Sequence, residues 1–98
     1  MDLLVLKTLS IEPMHGWGIA ERVEQVSHEA LQIQQGSLYQ ALHRIEQQGW
    51  IESEWRETEN RRRAKYYAMT PAGKRQYARA LANWQRLSQA IGLVLEMA

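Results

Sequence analysis

The chain has 98 residues, 45% hydrophobic and 23% charged, which is the balance of one globular domain with a modest core. No apolar run approaches the ~18 residues of a membrane span, Asp2 and Lys7 interrupt the N-terminal apolar stretch where a signal peptide would need continuity, and the absence of cysteine excludes disulfides, thiolate catalysis and cysteine-built zinc sites while suiting a cytoplasmic location. The formal charge of +1 hides an asymmetry: residues 61–79 hold seven basic side chains and no acidic one, while the rest holds five basic and eleven acidic, the footprint of a surface that meets a polyanion.

Asp2 is placed to cap a first helix through Leu3, Leu4, Leu6, Leu9 and Ser10. That helix must stop ahead of Pro13, because the residue before a proline avoids helical dihedrals. A second helix is expected over residues 16–27, with Ile19, Ala20, Val23 and Val26 on one face. Residues 31–34 (Leu-Gln-Ile-Gln) alternate apolar and polar as a short half-buried strand does. A third helix is expected over residues 37–48, opened by a capping box of Ser37 and Gln40 and stopped at Gly49. Residues 50–56 and 65–69 read as two strands joined by a polar loop over 57–62. Thr70-Pro71 opens a long last helix, with threonine as the cap and proline where its missing N–H costs nothing.

This order of elements is that of a winged helix-turn-helix, a mainly α fold with a small β-hairpin wing (α+β). The expected division is a winged helix-turn-helix DNA-binding domain over residues 1–70 and a C-terminal dimerisation helix over 71–98, packed as one structural unit.

On the third helix Leu38, Ala41, Leu42 and Ile45 form the face that packs inward. Ser37, Tyr39, Gln40, His43, Arg44 and Gln47 form the opposite face, with Gln34 just ahead of the helix. Such side chains hydrogen-bond to base edges and phosphates of double-stranded DNA, and a helix is the element that fits the major groove. The hairpin carries the densest positive cluster, Arg61, Arg62, Arg63 and Lys65, interleaved with Tyr66 and Tyr67. Contacts from it to phosphates give affinity and register without sequence information. Glu57 and Glu59 are placed to pair with these arginines in the free protein.

In the last helix Tyr77, Leu81, Trp84, Ser88, Ile91 and Leu95 recur at spacings of four and three, with Leu87 and Val94 widening the stripe. That is the seam of a helix pair, and the simplest partner is a second copy of the chain in a two-fold dimer. The alternative is that the helix folds back on its own first helix, and both arrangements can hold together. Trp84 is either packing in that seam or the wall of a cavity for a small hydrophobic or aromatic effector.

The motifs Pro13-Met14-His15-Gly16-Trp17-Gly18-Ile19, Gln35-Gly36-Ser37-Leu38-Tyr39, Leu42-His43-Arg44-Ile45-Glu46 with Gly49, Arg63-Ala64-Lys65-Tyr66-Tyr67 and Thr70-Pro71-Ala72-Gly73 stand in this order along the whole chain. In that arrangement the chain resembles the PadR family of bacterial transcriptional regulators, in the branch with a single C-terminal dimerisation helix. The resemblance implies a dimeric repressor that holds an operator with its third helix and wing, released in some members by small molecules. It also implies that Trp84 stands where multidrug-sensing relatives line a channel at the dimer centre. Two positions depart from the pattern: Trp17 where tyrosine is usual, and Gln40 where proline is common.

An enzyme is not expected. His15, His28 and His43 stand in no metal-binding or catalytic spacing, no glycine-rich phosphate loop is present, and no cofactor is implied. The remaining alternative is a winged-helix protein-interaction module without DNA specificity, which would be expected to lack a basic wing.

Overall fold

The computed structural model describes residues 1–98. Its elements are α1 (Asp2–Ile11), β1 (Met14–His15), α2 (Gly16–Val26), α3 (Gln35–Gln47), β2 (Ile51–Glu57), β3 (Arg63–Met69) and α4 (Pro71–Leu95). This α+β arrangement of helices around one small antiparallel sheet is the expected winged helix-turn-helix. The sheet runs in the order β1-β3-β2, so the hairpin gains a third, two-residue strand that the sequence pattern did not reveal. Met14 pairs with Tyr67 and His15 with Tyr66.

Apolar spacing explains which faces turn inward. Leu38, Leu42 and Ile45 are fully buried, lying on one side of α3 at the three- and four-residue spacing of a helix face. They meet Val5, Leu6 and Ile19 from α1 and α2, while Ile51 and Tyr67 close the cluster from the sheet.

Three local expectations are corrected. Residues 31–34 form no strand: β1 already occupies the free edge of β3. The Leu31 amide instead donates to Ser27 Oγ at 3.1 Å and the Ile33 amide to Glu24 Oε1 at 3.1 Å, so α2 itself satisfies them. His28 and Glu29, both left-handed at φ 53° and 65°, turn the chain there. The Ser37–Gln40 capping box is also absent. α3 starts earlier, at Gln35, with Gln34 as an N-cap that makes no side-chain hydrogen bond, and Ser37 is left exposed inside the first turn. At α1 the N-cap is Met1, and Asp2 lies in the first turn, where its charge suits the positive end of the helix.

The start of α4 follows the expectation closely. Thr70 Oγ1 accepts from the Gly73 amide at 3.0 Å and donates to the Gly49 carbonyl at 2.7 Å. The Thr70 amide donates to the Trp50 carbonyl at 3.1 Å. Gly73 is buried against that same strand start, and a Cβ there would lie 1.9 Å from the Trp50 carbonyl oxygen.

The first half of α4 lies along α1, with Tyr77 against the core. The second half runs past the domain, and the molecule measures 58 × 30 × 22 Å. No helix is long and apolar enough to cross a membrane.

Gly73→Ala is therefore expected to destabilise the chain by about 2 kcal/mol, since backbone and not a flexible side chain must move. Gly36, with nothing within 4 Å of a built Cβ, supplies the control: Gly36→Ala is expected to be neutral or stabilising by up to about 1 kcal/mol. Denaturant midpoints of the two variants check the contrast.

Candidate nucleic-acid interface

One carboxylate ties α3 to the inward face of the wing. Glu46 Oε2 accepts from Ser53 Oγ of β2 at 2.5 Å, and Glu46 Oε1 lies 3.6 Å from Lys65 Nζ of β3. One side chain on α3 thus holds both long strands. The alternation of β-strand side chains sorts the rest. The register pairs Ser53 with Tyr67, Trp55 with Lys65 and Glu57 with Arg63 on the face toward α3. Glu54 with Tyr66 and Arg56 with Ala64 fall on the opposite face.

This sorting divides the residues singled out from sequence. On α3, Gln40, His43 and Gln47 form the outermost row, roughly opposite the buried one at 100° per residue, and all three are exposed. Gln34 and Ser37 lie exposed at the start of the helix. Tyr39 flanks the row on the wing side, its ring over Gly16, where a Cβ would approach it to 2.9 Å. Arg44 flanks the row on the other side, where its guanidinium is engaged by the Asp2 carboxylate at the start of α1.

In the wing, Arg61 and Arg62 are exposed and lie at the hairpin tip. Arg61 adopts the left-handed region at φ 57° as its amide donates to the Thr58 carbonyl. Arg63 lies 5.6 Å over the Trp55 ring. Glu57 and Glu59 take none of these arginines: the ion pairs present are Glu12–Arg22, Asp2–Arg44, Glu54–Arg56 and Glu46–Lys65. The expected pairing is replaced in part by a cation–π contact, which leaves Arg61 and Arg62 free.

Tyr66 stands apart from the other candidates. It lies on the outer face of the sheet, edge-on to His15 at 5.3 Å, with the Arg56 guanidinium 5.2 Å from its ring. His15 in turn accepts from the Gly18 amide at Nδ1 and so caps α2. The geometry makes Tyr66 part of the link between wing and α2.

Sequence reasoning passed over Glu46 as a brace and Trp55 as a member of this face. Counting alternate positions along β2 from the buried Ile51 would have found Trp55, because it stays in phase with Ser53. Glu46 carried no signal, since its contacts to Ser53 and Lys65 depend on how the hairpin folds back on α3.

Tyr67, buried behind this surface, has its phenol pushed above the ordinary value of 10.0, first by desolvation, then by the charges of Glu46 and Tyr39. A raised folded value favours the protonated form, so its contribution to stability is whole below about pH 10 and is lost as pH rises through the raised value.

The dimer candidates lie along α4. Tyr77, Leu81 and Ser88 are half-buried, while Trp84, Leu87, Ile91, Val94 and Leu95 are exposed, Leu95 by 79%. An apolar stripe of that length is unpartnered within a single chain.

A helix-turn-helix followed by a basic, braced hairpin defines a winged-helix protein. Residues 5–79 match the transcriptional regulator PadR-like family. The fold is similar to that of a transcriptional regulator from Clostridium thermocellum (TM-score 0.87, 27% identity, covering 94% of this chain and 89% of that one). It is also similar to a PadR family transcriptional regulator from Eggerthella lenta (TM-score 0.82, 30% identity, covering 99% and 82%). A protein X of Lysinibacillus sphaericus is 23% identical over 98% of this chain and 88% of its own length. A 37.1 kDa protein in transposon TN4556 of Streptomyces fradiae is 38% identical over 99% of this chain, which spans 26% of that protein. The chain belongs to the PadR-like family of transcriptional regulators.

Glu46→Ala is expected to cost about 1 kcal/mol, the value of a charged hydrogen bond discounted for partial exposure. Its distinguishing effect is faster amide hydrogen exchange in β2 and β3 with α1 unchanged. Tyr67→Phe is expected to remove part of the loss of stability above about pH 10, measured by thermal melts of variant and parent across that range.

Proposed function

We propose that the chain is a sequence-specific DNA-binding regulator that acts as a repressor, holding a two-fold operator as a homodimer. The observation that carries this reading is an exposed polar row on α3 braced through Glu46 to a wing whose Arg61 and Arg62 are exposed and unpaired. Gln40, His43 and Gln47 are the base-edge readers of this arrangement, with Gln34, Ser37 and Tyr39 at its margin. Arg61, Arg62, Arg63 and Lys65 fix the protein on phosphates. Arg44 enters the interface as a side chain already oriented by Asp2. Tyr66 supports the wing from behind.

Dimerisation follows from the apolar stripe on α4, for which a second copy is the simplest cover. An apolar groove between α1 and α2, lined by Leu4, Ile11, Val23, Val26 and Leu31, offers the same partner a further seat. Two recognition helices about one turn of DNA apart then read the two halves of a palindrome. A small hydrophobic or aromatic effector beside Trp84 would change the angle between the paired α4 helices and with it that spacing. The family and its solved relatives are regulators, which supports this reading over an enzyme. The basic wing favours it over a module that binds protein alone.

The test is binding of the purified chain to the DNA upstream of its own gene, with a scrambled duplex as control, at two salt concentrations. Selective binding by a dimer is expected, with log affinity falling steeply against log salt. Arg62→Ala is expected to weaken binding to both duplexes alike and to reduce the salt slope by about 1, whereas Gln40→Ala acts on the cognate site by about 1–3 kcal/mol. Weak binding, equal on both duplexes and insensitive to salt, would sink the reading.

A further inference from the structure

Where α2, α3 and the wing meet, the surface sinks into a bowl of about 730 Å³, within the ~300–1,000 Å³ of sites that take drug-sized ligands. Trp17, Tyr39 and Trp55 form aromatic walls, and Arg62, Arg63 and Lys65 supply cations, Lys65 being shared with Glu46 and Arg63 lying over Trp55, with no carboxylate among the lining residues. Trp17 and Trp55 are 59% and 60% exposed, a large apolar area to leave in water on a chain this small.

The floor has a specific construction. Tyr39 can lie across it because residue 16 has no side chain; a Cβ there would meet the ring at 2.9–3.0 Å. The Trp17 indole N–H is anchored to Glu21 Oε2 at 2.9 Å, which holds the ring at the rim. Thr58 and Asn60 add neutral hydrogen-bonding groups at the hairpin end.

A duplex laid on this surface accounts for the cations through its phosphates. It does not account for the aromatic walls, because paired and stacked bases present edges in the grooves and keep their faces covered. Exposed ring faces beside guanidinium groups match a ligand that carries a free aromatic ring and an anion together. Stacking of a base on an aromatic side chain is worth ~1–3 kcal/mol, and a guanidinium fork fits a phosphate.

We propose that the bowl between α2, α3 and the wing binds a free mononucleotide, its base against Trp17 and Trp55 and its phosphate on Arg62 and Lys65. The same cations hold DNA phosphates in the function proposed above, so nucleotide and operator exclude one another. Release is then by direct competition at the DNA face, with no change in the α4 pairing. The competition rests on the DNA-binding reading; the nucleotide site does not.

The experiment titrates the full chain with AMP and GMP, with adenosine as the uncharged control, and follows the indole N–H signals of the four tryptophans by nitrogen-15 NMR. Trp→Phe variants assign the signals. Saturable shifts of the Trp17 and Trp55 signals are expected while Trp84 stays still, and adenosine should bind at least about tenfold more weakly for want of the charge-assisted contacts to Arg62 and Lys65. Trp55→Ala, at an exposed position, should remove binding, Arg62→Ala should weaken AMP toward the affinity of adenosine, and nucleotide should raise the apparent Kd for the cognate duplex without lowering the binding plateau.

Movement of the Trp84 signal alone, equal binding of adenosine, or no saturation at millimolar nucleotide would overturn the proposal. So would a short single strand of deoxyadenylate binding where free AMP does not. A chain that binds AMP at Trp17 and Trp55 yet ignores duplex at low salt would uphold the site while removing the competition, which separates the two failures.

Discussion

Four elements leave from one small patch of main chain. The end of α3, the start of β2, the end of β3 and the start of α4 meet where Thr70 bonds to both Gly49 and Trp50 and where Gly73 presses on the Trp50 carbonyl. The Thr70 amide bond to Trp50 and the approach of Gly73 to the Trp50 carbonyl are backbone to backbone, so neither can be relaxed by a change of rotamer, and the Thr70 hydroxyl adds a side-chain bond to Gly49. Recognition helix, wing and long helix are therefore fixed relative to one another at their roots. A displacement of α4 at this junction carries the wing and α3 with it as one body.

Beyond the junction, charged contacts add to the core packing that holds α3 against the wing. Glu46 binds across to both long strands, and Asp2 holds Arg44 at the opposite flank of α3. These contacts are partly exposed, so each is worth little on its own in water. Their effect is to reduce the number of arrangements in which basic and polar groups meet a ligand, and ordering that is already present in the free protein need not be imposed on binding. Arg61 and Arg62, which have no such contact, remain the mobile part of the charge.

The fold was legible wherever periodicity and capping chemistry agreed. Thr70-Pro71 marked the start of α4, and the row Leu38, Leu42, Ile45 marked the inner face of α3. Legibility failed where the decisive partner is distant in sequence. Residues 31–34 alternate like a strand, but whether a strand forms depends on a free sheet edge, and that edge belongs to Met14–His15. Ser37 and Gln40 have the spacing of a capping box, yet the helix starts at Gln35 and takes both residues inside it. Among the candidate site residues, Tyr66 fell on the outer side because strand phase decides the face, and Arg44 carried no sign that Asp2 lies beside it.

The Asp2–Arg44 contact has a further consequence. It puts the amino end of α1 against the flank of α3, so whatever polypeptide is joined ahead of Met1 emerges at the rim of the polar face of that helix. A purification tag or fused domain at that end occupies the space beside α3 and adds its own charges there. α4, by contrast, carries the carboxyl end away along the 58 Å axis of the molecule. Appendages at that end meet the apolar stripe instead, so the two termini of this chain address two different surfaces.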